Sequence, residues 1–146
     1  MSIKKAESFD SFLLVVKSDR ALRKLTNKKV RDEGDLTLTE WLLLSMIAAG
    51  PKEGLRMSEL AKELGVTLPQ VTALLDSLLE KRLVRQKTQR QDRRNRFALA
   101  TQRGEDVVKR LNDSMDELFG KITNGVPGTH LQIYRQVLEV VAGRTD

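Results

Sequence analysis

Apolar residues recur along this chain at two kinds of spacing, and the order in which they do so predicts its elements. Phe9, Leu13 and Val16 stand four and three apart, widened by Phe12, Leu22 and Leu25, which predicts a helix over about residues 8–31. Gly34 and Asp35 end it. Thr37-Leu38-Thr39-Glu40 has the form of a capping box, in which the threonine hydroxyl accepts from the Glu40 amide and the carboxylate reaches back to the Thr37 amide. A short apolar helix to Ala49 follows, carrying Trp41, Leu42, Leu44, Met46 and Ile47, and Gly50, Pro51 and Gly54 break it. Leu55-Arg56-Met57 reads as an extended piece. Ser58 is the expected cap of a brief helix to Leu64, closed by Gly65 at a position suited to left-handed backbone. Thr67-Leu68-Pro69-Gln70 repeats the capping box and opens a helix to about Lys81, with Val71, Leu74, Leu75, Leu78 and Leu79 as its buried stripe.

The period then changes. Leu83 to Thr88 and Arg96 to Ala100 read as two strands around a long polar tip from Gln89 to Asn95. Thr101 caps a long helix to Ile122, in which Val107, Val108, Leu111, Met115, Leu118, Phe119 and Ile122 keep the three-four spacing. A turn at Asn124–Gly128 leads to a last helix, capped by Thr129 and carrying Leu131, Tyr134, Val137, Leu138 and Val141. The predicted class is mainly α with a small β-hairpin (α+β). Helix, tight turn, helix and hairpin in this order make a winged helix-turn-helix, whose second helix enters the major groove of DNA with its N-terminal residues leading.

Charge sharpens that expectation. The 146 residues carry a net charge of +6, but Lys81 to Arg96 holds eight basic residues and a single acid, Asp92, so that stretch has +7 and the remainder −1. A cationic block beside a helix-turn-helix points to a polyanion as partner. The helix from Thr67 presents Thr67, Pro69, Gln70, Thr72, Ala73 and Ser77 opposite its leucines. Gln70 suits bidentate pairing with adenine, and Ala73 or the Thr72 methyl suits a thymine methyl. Arg90, Arg93 and Arg94 at the wing tip, with Lys87 and Arg96 on the flanking strands, fit the narrow, strongly negative minor groove. Asp92 repels phosphate, so its expected task is to aim Arg94 through a charge-assisted pair, the plainer alternative being that it initiates the turn.

Other chemistries are poorly represented. The chain has 0 cysteines, which removes disulfides, thiolate nucleophiles and thiol-based sensing together. Its single histidine, His130, is too few for a metal site of the usual kind and is expected to be exposed at a helix start. No phosphate-binding glycine loop, nucleophile elbow or metal-ligand cluster occurs, so no cofactor is expected and the chain does not read as an enzyme. Glu59 and Glu63 read as a solvated helix face. No apolar run reaches the ~20 residues of a membrane helix and no signal peptide is recognisable, so a cytoplasmic protein is expected.

With these residues in place the chain resembles the MarR family of transcriptional regulators. Leu83-Val84, Gln91-Asp92-Arg93-Arg94 and Thr101-Gln102-Arg103-Gly104 look like the family's wing and the start of its long dimerisation helix, and Pro69 is similar to the SlyA-like branch. The resemblance implies one domain over 1–146, a winged core over about 37–100, and dimerisation helices at about 8–31, 102–122 and 129–143. It also implies a homodimer on a pseudo-palindromic operator, released by a small aromatic or anionic effector. Arg20, Arg23 and Trp41 are the candidate effector contacts, with ordinary core packing the competing role for Trp41. The chain departs from the family pattern at Arg82, where glycine is usual, so a reshaped corner is expected there. Ala98 and Ala100 are small, so a loosely packed strand is expected. Two further readings compete: a winged-helix module for protein or RNA, and a sequence-neutral architectural DNA binder.

Overall fold

The computed structural model describes residues 5–89 and 92–144, with side chains over 9–87 and 96–144. Among the described residues six helices and three strands follow one another: α1 (Lys5–Gly34), α2 (Leu38–Ala49), β1 (Leu55–Arg56), α3 (Met57–Leu64), α4 (Leu68–Glu80), β2 (Val84–Gln89), β3 (Asp92–Ala100), α5 (Gln102–Ile122) and α6 (Gly128–Arg144). Two compact units are distinguished, residues 1–115 and residues 116–146. Among the described residues no helix is long and apolar enough to cross a membrane.

Leucine dominates the core of the first unit. Leu43, Leu44 and Ile47 of α2, Leu60 of α3, Val71, Leu75 and Leu78 of α4, and Val108 and Leu111 of α5 form one buried cluster. Each helix contributes a single stripe, as the three-four spacing requires. The hairpin has a third strand: β1 lies antiparallel to β3, so the sheet order is β1-β3-β2, with Leu55 opposite Ala98 and Arg56 opposite Phe97. The Arg56 guanidinium also lies over the Phe97 ring, 5.7 Å from its centroid.

Several expectations are corrected by local chemistry. Helix α3 starts two residues before Ser58 would allow, because the Glu59 carboxylate accepts from the Arg56 amide at 2.9 Å and moves the cap to Arg56. The last helix begins at Gly128; the Pro127 carbonyl accepts from the His130 and Leu131 amides, so Thr129 lies inside the first turn. Strand pairing runs into the expected polar tip: Gln89 pairs with Asp92 beyond an irregularity at Thr88/Gln89. Polar residues do not end a ribbon whose faces meet water. Ala98 is 0% exposed and packs in the core cluster, so its small side chain reflects close approach and not looseness. A Cβ at Gly54 would come within 2.9 Å of its carbonyl oxygen.

Arg82 is the clearest correction. Its φ is 59°, so the corner keeps the left-handed geometry that glycine would adopt there. The Arg82 amide donates to the Leu79 carbonyl at 2.9 Å and the Leu83 amide to the Leu78 carbonyl at 3.0 Å, the pairing of a Schellman motif.

Outside the winged core the apolar stripes are uncovered. Phe9, Phe12, Val15 and Val16 of α1 are exposed, Phe12 by 72%. Helix α6 has no buried residue, and Ile133, Tyr134, Val137 and Val141 are all exposed.

Candidate nucleic-acid interface

The geometry of the interface begins at the two ends of α4. At its N-terminus the Thr67 hydroxyl accepts from the Gln70 amide at 3.4 Å, while the Gln70 carboxamide oxygen accepts from the Thr67 amide at 2.8 Å and from its hydroxyl at 3.1 Å. The expected capping box is present and it occupies the oxygen of the residue expected to read adenine. Bidentate pairing needs both ends of the side-chain amide, so it requires release of the cap; the Gln70 Nε2 has no such commitment among the described residues.

The outward face of α4 is as the leucine spacing implies. Thr67, Pro69, Gln70, Thr72 and Ala73 are exposed, while Val71, Leu75 and Leu78 are buried. The Thr72 hydroxyl donates back to the Leu68 carbonyl at 2.9 Å, which leaves its methyl as the group to meet a base. Ser77 is different. It is half-buried and its hydroxyl donates to the Glu40 carboxylate at 2.6 Å, so it holds α4 in place and is not presented as a free contact.

Glu40 was legible in the sequence only as a capping residue. It is 7% exposed, and its carboxylate gathers the Thr37 amide at 2.9 Å, the Ser77 hydroxyl and the Lys81 ammonium at 3.3 Å. Lys81 also donates to the Asp35 carbonyl at 2.6 Å. Burial pushes the Glu40 carboxyl up, but the hydrogen bonds from Ser77 and Thr37 and the charge of Lys81 outweigh it and hold it below the usual carboxylate range. This cluster ties the C-terminal end of α4 to the α1–α2 junction.

On the ribbon, Lys87 and Arg96 are exposed, Lys87 standing opposite Phe97 and Thr88 opposite Arg96. Arg90 lies outside the described residues. Asp92, Arg93 and Arg94 have their backbone in β3, and their side chains, with the proposed aiming of Arg94, lie outside what is described.

The candidate effector residues are spread over two helices. Arg20 and Arg23 are exposed on α1, and Arg23 pairs with Asp19 at 2.9 Å. Trp41 of α2 is partly buried against the core and its indole N–H donates to Asn112 of α5 at 3.2 Å. Asn112 and Ser45 border a cavity of about 430 Å³ between α2 and α5, and the Ser45 hydroxyl is buried with no hydrogen-bond partner. Neither residue stood out in the sequence, because a lone serine or asparagine on a helix carries no periodic signal. His130 is exposed, and no metal-ligand cluster occurs among the described residues.

A helix-turn-helix followed by a hairpin, to which the preceding β1 adds a third strand, defines a winged helix-turn-helix protein. Residues 34–95 match the model of the MarR family. The chain is 29% identical over 119 residues to the HTH-type transcriptional regulator TcaR of Staphylococcus aureus, covering 80% of this chain and 77% of that protein. The fold is that of Sco3205, a MarR family transcriptional regulator from Streptomyces coelicolor solved in complex with DNA, with a TM-score of 0.85 at 19% identity over 97% of this chain and 89% of that one. It is equally that of CouR from Rhodococcus jostii RHA1, solved bound to p-coumaroyl-CoA, with a TM-score of 0.82 at 24% identity over 95% and 96% of the two chains. Over its winged core the chain is thus similar to the MarR family of transcriptional regulators.

Proposed function

We propose that this protein is a homodimeric, sequence-specific DNA-binding regulator that responds to a small ligand. The observation that carries the reading is α4: a helix capped at its N-terminus, tied down by Glu40 at its other end, and exposing small and polar side chains beside a basic ribbon. On this reading Thr67, Pro69, Gln70, Thr72 and Ala73 meet base edges or phosphates in the major groove, while Lys87, Arg90, Arg93, Arg94 and Arg96 serve the backbone and the minor groove, Asp92 aiming Arg94. Ser77 acts through Glu40. The exposed apolar stripes of α1 and of α6 each favour association with a second copy, since runs of large apolar side chains left in water oppose solubility. A homodimer reads a pseudo-palindrome with half-sites about one helical turn apart.

A small aromatic or anionic effector, met by Arg20, Arg23 and Trp41, acts by favouring one arrangement of the dimer. CouR, whose fold this chain shares, was solved bound to p-coumaroyl-CoA, which supports a ligand of this type here. Pro69 supports placement near the SlyA-like branch. The protein works in the cytoplasm and catalyses no reaction.

The test is selection from a random-sequence duplex pool across a salt series. A recovered pseudo-palindrome with affinity falling steeply as salt rises is the expected outcome. Salt-sensitive binding without a motif would establish the architectural reading instead, and absence of duplex binding would move the protein to the protein or RNA module. Arg94→Ala should lose most of the affinity with the fold intact. Gln70→Ala should relax base preference at one position per half-site by about 1–3 kcal/mol, and an unchanged preference would show that Gln70 is not a reader.

A further inference from the structure

From Thr67 to Leu75 the chain carries no charged side chain, and Asp76 is the first. An arginine or lysine, the usual reader of guanine, is therefore absent from the leading turns of α4. What α4 exposes there is largely hydrocarbon. Leu68 is 50% exposed, alone among the large hydrophobic residues of α4. Pro69, Thr72 and Ala73 are exposed with it, and their spacings make the four residues neighbours on the helix surface. The fold does not account for Leu68. It is neither in the buried core nor packed against it, and Thr67 and Gln70 close the cap without its side chain. The polar groups beside it are spent on the helix itself: the Thr72 hydroxyl donates to the Leu68 carbonyl at 2.9 Å, and the Thr67 hydroxyl to the Gln70 oxygen. A surface leucine by itself is ordinary, but this one is continuous with three further apolar surfaces on the helix that leads into the groove.

We propose, resting on the DNA-binding reading of α4, that Leu68 is a specificity-determining residue: with the Thr72 methyl and Ala73 it forms an apolar surface that recognises the C5-methyl group of thymine. That methyl is the apolar group a base edge presents in the major groove, and cytosine lacks it. Contact takes both hydrocarbon surfaces out of water, which is worth about fourfold in affinity for each methyl buried. A two-fold-symmetric dimer makes the contact twice, so the whole site gains about tenfold or more. The half-site is thereby biased towards T·A pairs without bidentate pairing by Gln70, whose oxygen the cap holds. The basic ribbon contributes affinity through phosphates, and Leu68 contributes the choice of base.

The experiment is binding of the full chain, read by fluorescence anisotropy, to the duplex recovered from the random pool and to the same duplex with deoxyuridine in place of thymidine. Uracil keeps the hydrogen-bonding groups of thymine and removes only the methyl. The wild-type protein should bind the uracil duplex about tenfold or more weakly. Leu68→Ala should narrow that penalty to about threefold or less, and Leu68→Met, which keeps an apolar reach, should preserve it. Unfolding midpoints of both variants should stay in place, because the side chain is half-exposed and the backbone carbonyl at this position still accepts from Thr72. Equal binding of the two duplexes by the wild-type protein overturns the proposal. So does a penalty that Leu68→Ala leaves unchanged, since an effect of the lost methyls on DNA shape would persist in that variant. A recovered motif without T·A pairs overturns it too while the DNA-binding reading stands, whereas binding without a motif, or no duplex binding, overturns both.

Discussion

Helices α3 and α4 end in the same way on different residues. At the first corner Gly65 has a φ of 65°, its amide donates to the Lys62 carbonyl at 3.1 Å, and the Val66 amide donates to the Ala61 carbonyl at 3.1 Å. At the second, Arg82 with a φ of 59° takes the place of glycine, and Leu83 that of Val66. The backbone is alike; the surroundings are not. A Cβ at Gly65 would meet nothing within 4 Å, so glycine there serves conformation alone. The Arg82 corner is held from outside: the Thr101 hydroxyl donates to the Arg82 carbonyl at 2.8 Å, the Thr101 amide donates to the Leu83 carbonyl at 3.0 Å, and Lys81 is anchored to Glu40 and Asp35. A left-handed non-glycine residue costs about 1–2 kcal/mol, and these added bonds, each worth about 1 kcal/mol, offset it. Corner shape is thus set by what surrounds the chain as well as by the residue at the turn.

The largest effect should come from filling the space that lets α5 approach the second corner. A Cβ at Gly104 would fall 2.0 Å from the Leu83 carbonyl oxygen, a backbone atom that cannot rotate away. Gly104→Ala should therefore destabilise by about 1–3 kcal/mol or more, read by chemical denaturation, with α5 displaced. A neutral result would show that the corner yields.

Glu40 is next. Glu40→Gln keeps the shape but leaves Lys81 and Ser77 without a charged acceptor, an expected loss of about 1–3 kcal/mol at neutral pH. The pH dependence follows from the direction of the shift. The folded carboxyl titrates below its unfolded value, so its contribution is present above the unfolded pKa and is lost as pH falls through the folded one. Denaturant midpoints in acid should fall more steeply for the wild-type protein than for Glu40→Gln, and parallel curves would remove Glu40 as the cause.

The smallest effects test the two turn residues directly. Gly65→Ala should cost about 1 kcal/mol, purely through backbone strain, and Arg82→Gly should gain up to about 1 kcal/mol. Equal and opposite shifts would establish that the two corners differ only in the residue. A loss on Arg82→Gly would mean that the arginine side chain makes a contribution of its own.

Much of this molecule was legible in its sequence. The three-four spacing located every helix, and the capping boxes at Thr37 and Thr67 were read correctly because both partners lie within one turn of chain. Where a cap depended on a competing acceptor the reading slipped by one or two residues, as at Ser58, where Glu59 moved the start, and at Thr129, where Pro127 accepted instead. The expected bidentate use of Gln70 met a similar competition, since the same oxygen closes the cap. The exposed face of α4 followed from its leucine stripe, whereas the commitment of Ser77 to a residue thirty-seven positions earlier did not.

Local pattern alone set the order of elements, the faces they bury, the charge of the ribbon and the resemblance to the MarR family, because periodicity, capping and net charge are properties of neighbouring residues. That β1 joins the wing, that Arg82 stays left-handed and that Glu40 is the hub between α2 and α4 came from the tertiary fold alone. Those facts depend on groups distant along the chain meeting in space, where packing and unpaired polar atoms set the energy and local pattern carries no record of them.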